Sequence, residues 1–144
     1  MMRTILLGLI LFFSATTLHA EQFQTLKDVE VHYVAFNSTF LTPKIARSYG
    51  IKRNGYTGLI NVSVLDTRQA GKPAVAARIQ GQAKNLLGQT QTLAFEQVQE
   101  GEAIYYLAQL PISHEEIMTI TLNVDAGLKG SGNVSFTQKF YVEP

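Results

Sequence analysis

The sequence predicts an all-β protein: an immunoglobulin-like β-sandwich of about seven strands with one short helix in the first crossover. Apolar and polar residues alternate with a period of two through most of the chain beyond residue 28, the pattern of strands buried on one face. Turn-forming residues separate these stretches at short, even intervals. Only two short pieces carry helix signals, and neither is longer than about two turns. The Cys–Trp–Cys hallmark of antibody domains is missing, since the 144-residue chain has neither residue type.

The chain opens on a segment outside that pattern. Arg3 is followed by an apolar run over residues 5–13 and by small and polar residues up to Ala20, ahead of Glu21. This is the layout of a secretory signal peptide. Residues 1–20 are expected to be cleaved, leaving 21–144 as a single β-sandwich domain outside the cytoplasm. A cut after Ala20 puts Leu18 at the −3 position, where a small residue is usual, so the exact cleavage site is left open within 15–20. The uncharged stretch 4–18 is shorter than the roughly 20 residues a membrane span needs, and no stable span is expected in the mature chain. With no cysteine there is no attachment point for a lipoprotein acyl chain and no disulfide.

The strands follow in order. Val29, Val31, Tyr33 and Ala35 alternate with Glu30 and His32; Ile60, Val62 and Val64 alternate with Asn61 and Ser63. Val75, Ala77 and Ile79 precede a polar face continuing through Gln80, Gln82 and Lys84. Leu93 and Phe95 read as one short strand. Residues 103–110 are almost continuously apolar, which predicts a central strand. Met118, Ile120, Leu122 and Val124 against Thr119, Thr121, Asn123 and Asp125 form the cleanest alternation. Val134, Phe136, Phe140 and Val142 end the chain.

Thr42-Pro43 is a helix N-cap followed by proline at the first helical position, and Gly50 is a terminator, with Ile45 and Tyr49 on one face. Ser113 and Glu116 have capping-box spacing, which predicts a single helical turn there. The mature-chain aromatics are expected to fill the core.

Without Arg3 the basic and acidic residues are equal in number, which argues against nucleic acid as a partner. His32 and His114 are the mature chain's histidines, and nothing in the spacing brings them together with Glu30, Glu115 or Glu116 into a metal site. No nucleophile elbow, phosphate loop or buried carboxylate pair is recognisable. The reading is therefore no enzyme, no cofactor and no metal.

One segregation of charge stands out. Residues 31–65 contain no acidic side chain, yet Lys44, Arg47, Lys52 and Arg53 fall within ten positions, with Tyr49 and Tyr56 among them. Residues 85–128 contain no lysine or arginine but six carboxylates. Asn37 and Ser38, between Phe36 and Phe40, end the first strand, where such side chains either bond backbone groups or form a polar recognition spot. The candidate interaction surface is Asn37, Ser38, Lys44, Arg47, Tyr49, Lys52, Arg53 and Tyr56.

The stretches Ala35-Phe36-Asn37-Ser38-Thr39-Phe40-Leu41, Gly58-Leu59-Ile60-Asn61-Val62-Ser63-Val64 and Gly101-Glu102-Ala103-Ile104-Tyr105-Tyr106, with Gln138-Lys139-Phe140-Tyr141, resemble a family of short exported proteins of Gram-negative bacteria. That family is catalogued only as a domain of unknown function. The resemblance spans essentially the whole mature chain and implies a periplasmic β-sandwich, with no catalytic or cofactor residue to carry over. The function expected is a non-enzymatic periplasmic protein-interaction module with an envelope protein or other periplasmic component as partner. A small-ligand or metal-binding protein, and an enzyme of unrecognised type, are the alternatives.

Overall fold

The computed structural model of the protein describes residues 22–144; the expected signal peptide and its cleavage site lie outside them. Among the described residues nine strands form two antiparallel sheets. β1 (Gln22–Leu26), β2 (Val29–Asn37), β3 (Thr57–Asp66), β7 (Ala103–Pro111) and β6 (Glu96–Glu100) make the larger, in the order β1-β2-β3-β7-β6. β4 (Arg78–Asn85), β5 (Thr90–Leu93), β8 (Glu116–Asp125) and β9 (Ser131–Phe140) make the smaller, in the order β5-β4-β8-β9. Setting β1 aside, the two orders are the A-B-E-D and C′-C-F-G arrangement of an immunoglobulin-like sandwich. The only α-helix among the described residues, α1 (Pro43–Ser48), lies in the crossover from β2 to β3. None of the described helices is long and apolar enough to cross a membrane.

The alternation read from the sequence becomes the core. Val29, Val31, Ile60, Val62 and Val64 face Ile120, Leu122, Val124, Val134 and Phe140 across the two sheets, all of them buried. β7 is central, as its continuous apolarity predicts. Its Tyr106, Ala108 and Leu110 enter the main core, while Leu107 and Tyr105 join a second cluster with Ala46, Ile51 and Leu59. The crossover is thus the lid over the outer face of the larger sheet.

Three expectations are corrected. The nine strands exceed seven because β1 and β6 are short, polar edge strands whose sequences carry little alternation, and because the chain changes sheet at Ala94-Phe95, splitting one expected strand into β5 and β6. Residues 113–116 form no helix: the link from β7 to β8 is too short, so Glu115 takes φ 58° in a tight turn and Glu116, already in β8, accepts from the Ser113 amide at 3.1 Å. In α1 the inward side chain is Ala46; Ile45 is exposed.

At the end of β3 remote from α1, Asp66 is only 3% exposed and accepts from Lys129 Nζ (2.9 Å), the Arg68 amide (2.9 Å) and Gln69 Nε2 (2.8 Å). Lys129 first, then the Arg68 amide and Gln69, hold its carboxyl down at about 2, from 3.8. A depressed folded-state value means that the stabilisation is complete above the unfolded value and disappears as pH falls through the folded one. Acid unfolding of the wild type should therefore steepen between about pH 4 and 2. Asp66→Asn should melt lower at neutral pH and show a flatter dependence across that window; equal slopes in the two proteins would exclude Asp66 as a source of the acid limb.

Candidate functional site

The crossover is held by its two ends. Asn37, 5% exposed, donates from Nδ2 to the Gly55 and Tyr141 carbonyls, each at 2.8 Å, and accepts through Oδ1 from the Thr39 amide (2.9 Å) and hydroxyl (2.8 Å). Ser38 is fully buried, its hydroxyl donating to the Asn54 carbonyl at 2.8 Å and accepting from the Asn54 amide at 3.1 Å. Asn54 in turn accepts from the Tyr56 amide and the Thr57 hydroxyl, each at 2.9 Å. The start of the crossover, its end and the C-terminal tail are thereby joined at one node. Asn37 and Ser38 belong to this clamp and leave the exposed candidate surface, because every polar group they bury must find a partner inside.

Between the ends, α1 has the terminators its sequence announces. The Thr42 hydroxyl accepts from the Ile45 amide at 3.2 Å. At the other end the Ile51 amide donates to Ala46 O at 2.8 Å and the Gly50 amide to Arg47 O at 3.3 Å, with Gly50 at φ 67°. That is a Schellman motif, which requires a left-handed residue and so favours glycine. Its accompanying apolar contact, Ala46 with Ile51, roots the helix on Leu59 and Leu107 of the sheet beneath.

The remaining six candidates lie on this crossover. Lys44, Arg47, Lys52, Arg53 and Tyr56 are exposed. Arg53 also braces the loop, donating from Nε to Leu41 O at 2.7 Å and from Nη2 to Thr39 O at 3.3 Å. Tyr49 is half-buried and its hydroxyl donates to the Glu100 carboxylate on β6; that bond and partial burial push the phenol up to about 12. Tyr49 thus fastens the crossover to the sheet edge. The Lys52 amide ties it to β7 through Gln109 Oε1 at 2.7 Å.

Sequence reasoning missed the apolar part of the surface. Phe40 is 75% exposed and Ile45 41%, beside the candidate Tyr56 at 61%. Phe40 meets the half-buried Phe36 edge-on, with ring centroids 6.2 Å apart. A groove of about 200 Å³ runs beside them between the ends of β2 and β9, with Phe36, Phe40 and Tyr141 on its walls. Nothing in the sequence marks Phe40 as outward-facing, since aromatic residues of this spacing ordinarily fill a core.

The histidines are far from a common centre in their bonding. His32 stacks on Phe23, with centroids 4.9 Å apart, and its Nε2 is hydrogen-bonded to the Glu30 carboxylate at 2.9 Å; Lys72 donates to the other Glu30 oxygen at 2.8 Å. Lys72, then His32, lowers the Glu30 carboxyl. His114 accepts from the Val142 amide at 3.2 Å and meets Tyr141 edge-on. Among the described residues no group of three or more His, Cys, Asp or Glu side chains converges as a metal-ligand set.

Comparison with known proteins places this geometry. Residues 23–143 match the family described as a domain of unknown function, DUF4426. A crystal structure of a DUF4426 family protein from Pseudomonas aeruginosa PAO1 is similar at 38% identity with a TM-score of 0.76, covering 88% of this chain and 99% of that one. A copper-bound variant of FetP from uropathogenic Escherichia coli strain F11 is 15% identical, with a TM-score of 0.59 over 86% of this chain and 97% of its own. As-isolated FetP, expressed recombinantly in the E. coli periplasm, is 13% identical, with a TM-score of 0.56 over 85% and 95%. At those identities the FetP likeness is one of fold alone. No curated protein matches the sequence.

Proposed function

The chain belongs to the DUF4426 family, and from that premise we propose that it is a non-enzymatic interaction module of the periplasm, docking an acidic segment of an envelope protein on its 38–56 crossover. The observation that carries this reading is the clamped, rigidly rooted loop that exposes Phe40, Ile45 and Tyr56 beside Lys44, Arg47, Lys52 and Arg53, with no carboxylate between residues 31 and 65. Aromatic and arginine side chains supply most of the energy at protein interfaces, and surrounding cations steer an acidic partner into register. A surface already held in shape by Asn37, Ser38 and the Schellman motif loses little entropy on binding. The signal-peptide layout of residues 1–20 supports delivery to the periplasm.

The copper named for FetP does not carry over on the residues described. Three or four convergent donors are needed, whereas His32 and Glu30 are two side chains bonded to each other and His114 is bonded to the tail. The proposal is of a binding protein rather than a catalyst or metal carrier.

The test is capture from envelope extract by the tagged protein. Lys44→Glu, Arg47→Glu and Lys52→Glu together should abolish capture while leaving the melting temperature unchanged, and adding Arg53→Glu should change nothing further except stability. Wild-type capture should also weaken as ionic strength rises. Undiminished capture by the triple variant would remove the crossover from the interface.

A further inference from the structure

The outer face of the smaller sheet carries a trough of about 640 Å³, remote in topology from the crossover. Strand pairing builds its floor. Gln80 lies opposite Asn123, which lies opposite Asn133; Gln82 lies between Thr92 and Thr121. Two successive rungs therefore present only amides and hydroxyls. The rung on one side sets Arg78 against Asp125, and the rung on the other carries Lys84, so a charge-free strip is bounded by charged ones. Phe95, half-buried, forms part of the wall. Its ring also packs against the core, where a Cβ on Gly81 would sit 3.1 Å from it.

These six side chains carry none of the structural duties that several other amides of the fold have. Asn37, Asn54, Asn85, Gln69 and Gln109 are each committed to an internal hydrogen bond that holds a turn or a loop. Among the described residues, none of Gln80, Gln82, Thr92, Thr121, Asn123 and Asn133 has an intramolecular side-chain partner. Here they line a concavity of the size that holds small ligands, roughly 300–1,000 Å³.

We propose that this trough is a binding site for a neutral oligosaccharide. Amides and hydroxyls each donate and accept, as the hydroxyls of a sugar do, so a run of them can satisfy a sugar edge group by group. An anion would need cations, which the two central rungs lack. An apolar ligand would strip water from six polar groups and give nothing in exchange.

The experiment is an amide-resolved NMR titration with two neutral probes, chitohexaose and maltohexaose. Either should shift resonances at residues 80–82, 92–95, 121–123 and 133. A preference for chitohexaose identifies an amino-sugar glycan, and one for maltohexaose a plain glucan. Gln82→Ala with Asn123→Ala should weaken binding at least tenfold while the circular dichroism spectrum and melting temperature stay those of the wild type. The Lys44→Glu, Arg47→Glu, Lys52→Glu variant should bind sugar unchanged, which separates this site from the crossover. Absence of shifts with both probes, shifts mapping elsewhere, or undiminished binding by the double variant would overturn the assignment.

Discussion

Asn37→Ala is expected to destabilise the protein by about 3 kcal/mol, because it removes four hydrogen bonds made by one buried side chain, at roughly 0.5–1.5 kcal/mol each. The Tyr141 carbonyl loses its donor and the Thr39 amide its acceptor, while the Gly55 carbonyl keeps only the Glu143 amide. For a domain of this size that corresponds to a fall in melting temperature of roughly 12 °C. Asn37→Asp separates hydrogen bonding from shape. It keeps the volume and the acceptor toward Thr39 but sets a carboxylate oxygen against two carbonyl oxygens, so it should melt at least as low as the alanine variant. A melting temperature within about 2 °C of wild type for Asn37→Ala would show that the node is not what holds the crossover.

Gly55→Ala should release the C-terminal tail. Gly55 is buried, and a Cβ there would overlap the carbonyl of Glu143, backbone against backbone, where no rotamer can give way. The tail is tied at this point by the Glu143 amide donating to Gly55 O at 3.1 Å and by Asn37 donating to Tyr141 O. The substitution should cost about 1–3 kcal/mol, the usual range for inserting a methyl group into a packed site. It should also speed hydrogen exchange at the Glu143 amide. Deleting residues 143–144 removes the obstacle, so the deletion should be less harmful in the Gly55→Ala background than in wild type. Additive effects of the two changes would mean that they do not meet, and would contradict the packing described.

Both predictions concern residues whose importance was only half legible. Asn37 and Ser38 are of the types that bond backbone at strand ends, and that role could be named from the sequence; that Tyr141, 104 positions away, is one of the partners could not. Gly55 reads as an ordinary Asn-Gly turn until the tail is seen lying against it. The helix was legible to the residue, because capping is local chemistry: Thr42, Pro43 and Gly50 act within one turn of the backbone they satisfy. Which side chain of α1 faces inward was not, since six residues carry too little periodicity to choose between Ile45 and Ala46. The basic residues of the candidate surface were visible as a charge run, whereas Phe40, its most exposed aromatic, was hidden among residues that ordinarily pack inside.

By itself the sequence determined the class of fold, the positions of its long strands, the helix with its caps, and the segregation of cations to the first crossover. These follow from interactions that act within a few residues along the chain: alternation of side chains across a strand, caps at helix ends, glycine at a left-handed turn. Only the tertiary structure decided which strands share a sheet, that Leu59 and Leu107 need the crossover as a lid, and that Gln80, Asn123 and Asn133 line up in one rung. Alternation says that a strand has an apolar face; it does not say which other strand that face will meet. That choice is made by contacts between residues far apart in the chain, where burial is shared among many partners and no single local pattern records it.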